Sequence, residues 1–370
     1  MNPYAIALTL VPGLGNKGIR QLLAVDKELN PEKIFSLSPS QLDEIFGKHK
    51  KISNAIASKA VLNDAEKTLE ELEKHHISVL FCTDSAYPQR LNREGCEDTP
   101  VLLYCLGTCD LNAPHSVAVV GTRHASDYGR TTTHRLINEM SFDKPLIISG
   151  LAYGIDTEAH QASLQYGLPT VAVLGHGLDR IYPPQNRQLA KQILDSGGAL
   201  VTEYPMGASV SPSNFPARNR TIAAMSDATV VVEAAEKGGA LITANLASGY
   251  NREVFAVPGR LDDTYSAGCN NLIANNKAAI LRNAGDLFFQ LGWKYKTDTA
   301  NAQERQQILF ATLNRDEQKM HRLLEENREM TMDDFAAKSN FPFPKIAALL
   351  TELELKNVIR CLPGRIYKLV

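Results

Sequence analysis

The chain has 370 residues, of which 44% are hydrophobic and 22% charged, with a formal net charge of −2. That length supports two or three domains, and the near-neutral balance excludes a surface coated in positive charge while leaving room for a local basic groove. No apolar run reaches membrane-spanning length, and the opening "MNPYAIALTLVPGLG" lacks a basic n-region, so a cytoplasmic protein with no membrane association is expected.

Residues 1–75 read as helical throughout, with apolar spacing near 3.6 in "QLDEIFGKHKKISNAIASKAVLNDAEKTLEELEKHH". Within them "VPGLGNKGIRQLL" (11–23) has the G-x-G of a helix–hairpin–helix. Two readings stay open there: a turn whose backbone meets phosphate beside Lys17 and Arg20, or an interhelical turn kept for packing. From "ISVLFCTD" onward, short apolar runs alternate with amphipathic segments: "VAVVG", "PLIISG", "TVAVLG", "GALVTEY", "ATVVVEA", "EVFAVPG". Strands buried on both faces and separated by helices predict an α/β fold with a doubly wound, mostly parallel sheet over 76–295. "KTDTANAQERQQ" marks a polar linker, 296–308. Residues 309–370 give three helices and two short strands about a Pro-Gly turn, the order of a winged helix. The six cysteines show no C-x-x-C pair and read as reduced thiols; "CLGTC" near His115 lacks a second pair, and no metal is expected.

The chemistry-bearing residues follow the strands. In "VAVVGTRHASDYG" (117–129) Gly121 permits a tight strand-to-helix turn, Thr122 can bond a phosphate oxygen and Arg123 offers a planar fork, or else pairs with a carboxylate at the sheet end. The dinucleotide fingerprint G-x-G-x-x-G is missing. A second such turn carries Ser149 and Gly150, ahead of Asp156 and His160, which read as a cap and a packed histidine rather than a catalytic dyad. "NFPARNR" sets Arg218, Asn219 and Arg220 around a helix start. Two guanidiniums so near each other call for an anion between them, or for Glu203 or Glu233 as ion-pair partners. Phe215 is either a stacking platform or packing. Lys237, Gly238 and Gly239 precede a further helix, whose N-terminus favours anions, and Asn270 follows the last strand. Open α/β sheets bind ligands at the carboxyl edge, so these turns are expected to converge on one long anionic ligand.

The stretches "YPQRL", "VAVVGTRHASDYG", "SGLAYGIDTEAH", "TVAVLGHGLDRIYPPQN", "LVTEYPMG", "FPARNRTIA", "VVVEA", "GGALITANLA" and "VFAVPG", in this order, closely resemble the DNA-processing protein A family (DprA, also called Smf). The resemblance implies an extended Rossmann fold between an N-terminal helical, SAM-like domain and a C-terminal winged helix. It further implies binding of single-stranded DNA, a homodimer through the Rossmann domain, and loading of the RecA recombinase in natural transformation. By motif position it puts Arg123, Arg218 and Arg220 in a DNA-facing pocket, with no catalysis and no cofactor. Two stretches depart from the family pattern: "NNKAA" (Asn276, Lys277, Ala278) replaces a Gly-Ala continuation, and Pro184 and Gln185 stand where a basic residue is often found, with Arg187 nearby.

The candidate recognition helix "PKIAALLTELELKN" carries Glu352 and Glu354 and only two lysines, Lys345 and Lys356, which favours a protein-contact role over duplex reading. The rival reading of the whole chain is a nucleotide-cleaving phosphoribohydrolase of the lysine-decarboxylase-like Rossmann group, with Glu233 as its acid. The P-G-G-x-G-T loop of that group is missing from the sequence.

Overall fold

A computed structural model describes residues 2–25, 29–47, 49–293, 313–327, 329–356, 358–362 and 366–369. The chain divides into two compact units, Met1–Lys294 and Tyr295–Val370. The linker expected at 296–308 lies outside the described residues.

The first unit begins with six helices, α1 (Pro3–Leu10), α2 (Asn16–Val25), α3 (Pro31–Ser36), α4 (Pro39–Phe46), α5 (Lys50–Ser58) and α6 (Ala60–Lys74). Polar residues stand before three prolines at their starts: Asn2 caps α1, Asn30 caps α3, and Ser38 forms a reciprocal box with Gln41 on α4. The strands follow: β1 (Ser78–Phe81), β2 (Leu102–Gly107), β3 (Ser116–Val120), β4 (Leu146–Ser149), β5 (Thr170–Leu174), β6 (Ala199–Thr202), β7 (Ala228–Val231), β8 (Glu253–Ala256) and β9 (Ala279–Ile280). They form one sheet in the order β1-β2-β6-β5-β4-β3-β7-β8-β9. Strands β3 to β9 run parallel, while β2 pairs antiparallel with both β6 and β1. All six apolar runs named from the sequence are strands of the parallel block. The antiparallel edge and the two-residue β9 were not foreseen.

Helices cover both faces because the strands are apolar on both. Val117 and Val119 of β3 enter one core with α7 (Asp127–Met140), α8 (Ile155–Tyr166) and α13 (Ala284–Leu291). Ala118 and Val120 enter the other, with α10 (Asn214–Met225), α11 (Gly239–Gly249), α12 (Ala267–Ala274) and the N-terminal helices. A smaller cluster joins α9 (Arg187–Asp195) to β5 and β6. The winding reverses direction at β3: β4, β5 and β6 lie on one side of it, β7, β8 and β9 on the other. Such a switch point leaves a crevice at the carboxyl ends of the central strands.

The N-terminal helices share a continuous apolar core with the sheet, and Arg20 explains part of the attachment. Its guanidinium donates to Asn92 Oδ1 at 2.7 Å, Thr99 Oγ1 at 2.9 Å, and the Tyr87 hydroxyl and Pro100 carbonyl, both at 3.3 Å. Of the two cations beside the G-x-G turn, Arg20 is therefore a tether to the segment before β2, and Lys17 alone is left exposed.

The second unit contains α14 (Arg315–Asn327), β10 (Glu329–Thr331), α15 (Met332–Ser339), α16 (Phe343–Leu355), β11 (Ile359–Leu362) and β12 (Ile366–Leu369). Its antiparallel sheet has the order β10-β12-β11. This is a winged helix, with one strand, β10, that the sequence pattern did not disclose. The lysines of its candidate recognition helix are paired within the unit: Lys345 with Asp316 and Lys356 with the buried Glu317, each at 2.6 Å. Glu352 and Glu354 are exposed.

Candidate nucleic-acid interface

Three turns meet at the switch point, and missing β-carbons let them do so. After β3, the Thr122 amide donates to the Glu233 carbonyl that follows β7 (2.8 Å), and the Thr122 carbonyl accepts from the Ile155 amide that opens α8 (3.2 Å). A β-carbon on Gly121 would lie 2.7 Å from that of Ile155. Gly154, at φ +73°, lies so close to Thr122 and Arg123 that a side chain there would overlap their backbone. The Glu233 carboxylate is fully buried under the start of α7, accepting from the Ser126 amide (2.9 Å) and hydroxyl, in space that a side chain on Gly129 would fill. Its oxygens complement the positive end of the helix. Glu233 is thus neither an accessible acid, as the phosphoribohydrolase reading requires, nor an ion-pair partner for the arginines of α10.

The turns enclose a cleft of about 450 Å³, lined among others by Gly121, Thr122, Arg123, Phe215, Arg218, Asn219, Lys237, Gly238 and Gly239. Nine of the thirteen residues singled out from the sequence therefore converge. Arg123 is exposed, has no ion-pair partner among the described residues, and holds its guanidinium carbon 5.8 Å from the centroid of Phe215. Lys237 is likewise exposed and unpaired among the described residues. Gly238 and Gly239 open α11 with no side-chain cap, so the first amides of an 11-residue helix border the cleft.

Arg218 forms the floor. It is 5% exposed, donates Nη1 to the Gly150 carbonyl (2.7 Å) and to the Val173 carbonyl, and donates Nε to Asn219 Oδ1 (3.2 Å). Nη2 has no hydrogen-bond partner among the described residues. Burial lowers its pKa to about 10, with Asp156 pulling upward and Arg123 pushing further down, so the group stays cationic at neutral pH. Asp156 is buried too; burial raises its carboxyl against the pull of Arg218, and it accepts from the Gly150 amide at 3.1 Å.

Four expected contacts are corrected. Ser149 is fully buried and donates to the Val119 carbonyl (2.7 Å), tying β4 to β3. Gly150 uses its amide on Asp156 and its carbonyl on Arg218, so it seats the arginine and does not face a ligand. A β-carbon there would sit 2.6 Å from Cζ of Arg218, and Gly150→Ala is expected to lower stability by about 1–3 kcal/mol through overpacking. Gly249→Ala, at the end of α11 where an added β-carbon meets nothing within 4 Å, should not lower stability and serves as the control for the substitution itself in thermal melts. Arg220 forms an ion pair with Glu203, away from the cleft lining, and its Nε is buried without a partner among the described residues. Asn270 holds the loop after β8, accepting from the Gly259 amide (3.2 Å) and donating to its carbonyl (3.1 Å).

Tyr182 also lines the cleft and was missed. It sits in a loop, where no periodicity flags a side chain; only the aromatic-proline pair in "RIYPPQN" hinted at a fixed turn. Asp156 and His160 form no dyad, but the expected cap is corrected: Gly154 stands at the start of α8 without a side-chain cap, and Asp156, within the first turn, accepts from the Gly150 and Ala152 amides of the preceding turn, while His160 is packed. His160 Nδ1 donates to Thr170 Oγ1 (2.8 Å), whose own proton goes to the Ile147 carbonyl. Among the described residues no cluster of His, Cys, Asp and Glu is arranged to hold a metal, and no helix is long and apolar enough to cross a membrane.

A doubly wound sheet with a basic, aromatic-edged cleft at its switch point defines a Rossmann-like α/β protein. Comparison with known proteins narrows the class. Residues 78–292 match the family described as DNA recombination-mediator protein A, and residues 302–365 match the DprA winged helix domain. The chain belongs to this DprA/Smf family. It is 39% identical over 283 residues to Protein Smf of Synechocystis, covering 75% of this chain and 70% of that protein. It is 39% identical over 274 residues to DNA processing protein DprA of Streptococcus pneumoniae, covering 73% and 92% respectively. The X-ray structure of the Streptococcus pneumoniae protein superposes with a TM-score of 0.65 at 32% identity, over 80% of this chain and 99% of that one. A structure of DNA processing protein A from Helicobacter pylori, described for its single-stranded DNA binding mode, superposes with a TM-score of 0.51 at 30% identity, over 58% and 95%.

Proposed function

We propose that this chain binds single-stranded DNA in the switch-point cleft, protects it, and as a homodimer loads the RecA recombinase onto it during natural transformation, without catalysing a reaction itself. The observation that carries the reading is the convergence of Arg123, Arg218, Lys237 and the uncapped start of α11 on one cleft. Four sources of positive potential around one concavity, two of them exposed and unpaired, suit a polyanion that threads past them. Membership of the recombination-mediator family supports the DNA assignment, as does similarity to the Helicobacter pylori protein, whose structural description names single-stranded DNA. The dimer and the recombinase hand-over rest on the family resemblance. For the winged helix, the internal pairing of Lys345 and Lys356 beside exposed Glu352 and Glu354 supports a protein-contact or regulatory role.

Affinity for a thymidylate oligonucleotide, followed by fluorescence anisotropy across a salt series, tests the reading. Log affinity should fall linearly with log salt, by about 0.7 for each phosphate neutralised, and duplex should compete poorly. Arg123→Ala should weaken binding by roughly 1–3 kcal/mol and make the slope shallower by about 0.7. Arg220→Ala should leave the slope as it is. Binding that ignores both salt and Arg123, with circular dichroism unchanged, overturns the assignment.

A further inference from the structure

The winged-helix unit carries a charged face that its recognition helix does not account for. Lys345 and Lys356 of α16 are spent on Asp316 and Glu317, the two acids in the first turn of α14. Those acids are therefore taken, and the basic residues of α14 itself go without them. Arg315, Lys319 and Arg322 stand at positions i, i+4 and i+7, which puts all three within about 60° of one another on a single helix face. All three are exposed, and none has an ion-pair partner among the described residues. Lys319 is also held in place. Its ammonium lies 4.8 Å from the centroid of the half-buried Phe341 ring, and that of Lys345 lies 4.3 Å from the same centroid. An aromatic face orients an ammonium without cancelling its charge, and two ammoniums drawn to one ring repel each other. The carboxylate paired there, Asp316, is bound to Lys345, so the surplus is positive. Further acids come only in the last turn of α14: Glu325 lies 3.6 Å from His321, and Glu326 ends the basic face four residues beyond Arg322. Arg315 in the first turn and Glu325 and Glu326 in the last oppose the helix dipole, so helix stability does not explain their order.

We propose that this face of α14, with Arg315, Lys319 and Arg322 and with Lys345 beside them, is a second binding site for the phosphate backbone of DNA, separate from the cleft. The inference rests on the DNA reading and adds that each unit of the chain grips its own stretch of a strand. An acidic protein segment would offer similar charges. A strand held by the first unit, however, is presented to the second at raised local concentration because both belong to one chain, and a few weak surface contacts then suffice. Contacts to phosphate oxygens carry no base information, so the site takes single and double strands alike. The recognition helix α16, with exposed Glu352 and Glu354, keeps the protein-contact role proposed above.

The test uses full-length protein and fluorescence anisotropy with two thymidylate strands, one of about 6 nucleotides, short enough to be held by a single site, and one of about 60. Arg315→Gln, Lys319→Gln and Arg322→Gln combined should weaken binding of the long strand roughly tenfold or more and make its salt slope shallower by about 2. The short strand should stay within about twofold. Glu326→Gln, which removes the acid at the end of the basic face, should tighten the long strand roughly two- to fivefold, a gain that no folding defect can produce. No loss on either strand, the behaviour of a face reserved for an acidic protein, overturns the second site. So do equal losses on both strands with no gain from Glu326→Gln. Either result leaves the cleft reading in place. Failure of the unmodified protein to bind either strand overturns the DNA reading itself.

Discussion

Replacing Arg90 with alanine should destabilise the sheet unit by about 3 kcal/mol, the lower end of the range for breaking a buried ion pair, and lower its melting temperature by roughly 6 to 12 °C. Arg90 belongs to the "YPQRL" stretch and is 7% exposed. It holds Asp227 through two parallel bonds, Nε to Oδ1 at 2.8 Å and Nη2 to Oδ2 at 2.7 Å. Nη2 also reaches the carbonyls of Ala113 and Pro114, both at 2.9 Å. Removing the side chain leaves those acceptors and the carboxylate short of donors. Asp227 keeps the amide and hydroxyl of Ser116 and a distant Arg93 (3.7 Å), which is why the expected loss is near the lower limit.

The same pair makes a statement about acid. Burial by itself would raise the Asp227 carboxyl, but the hydrogen bonds and charge of Arg90, with help from Ser116, hold it below the ordinary carboxylate range. A group shifted downward in the fold contributes stability above its unfolded pKa, and that contribution is lost as pH falls through the folded one. Arg90→Ala should accordingly flatten the acid limb of the stability curve below about pH 4. The pair spans the amino-terminal starts of β3 and β7, the edge of the sheet opposite the cleft. Oligonucleotide affinity below the melting transition should therefore be unchanged, which separates this variant from Arg123→Ala.

His160 should produce an acid effect of comparable size over a higher range. It is fully buried, and burial together with the positive charge of Arg218 lowers its pKa to about 3. Its Nε2 has no hydrogen-bond partner among the described residues. Between that value and the unfolded pKa near 6.5, the unfolded chain binds a proton that the folded chain refuses, so stability falls with pH by roughly 1.4 kcal/mol per unit. Asp156, whose carboxyl is raised by burial, acts in the opposite direction where it titrates, so the unmodified curve alone does not isolate His160. The difference between the unmodified protein and His160→Gln does, since glutamine retains a donor for Thr170 but does not titrate. Denaturant midpoints measured from pH 7 down to about pH 4 should diverge steadily, with the glutamine variant the less acid-sensitive. Parallel curves would mean that His160 is solvated or protonated in the fold.

What the sequence disclosed follows from how each signal is encoded. Parallel strands buried on both faces are unbroken apolar runs, so β3 to β8 were legible. A two-residue β9 and a three-residue β10 are too short to show any period. Arg123, Lys237 and the glycines were legible because turns after parallel strands must lie at one edge. Arg218 and Arg220 were read together because they are neighbours in the chain. Two residues apart on a helix, however, point about 200° from each other, so only one of them can face the cleft. The other found Glu203, one of the two carboxylates that the sequence offered. Ser149 and Gly150 were legible as a turn, but whether their polar groups face a ligand or the protein depends on Val119, Asp156 and Arg218, which lie far away in sequence.

Arg218 is held by main-chain oxygens of two different strand ends rather than by a side-chain acid. A carbonyl dipole orients a guanidinium without cancelling its charge, so the cleft keeps a fixed cation at its base before any ligand arrives. Asp156 acts on that cation through space, but among the described residues no carboxylate is in a direct ion pair with it, and an incoming anion does not have to immobilise a floppy arm, which lowers the entropic penalty of association. Lysine in the same place would be a poor substitute: its single ammonium could take the two carbonyls that Nη1 holds, but it has no second nitrogen to do what Nη2 leaves open for a newcomer.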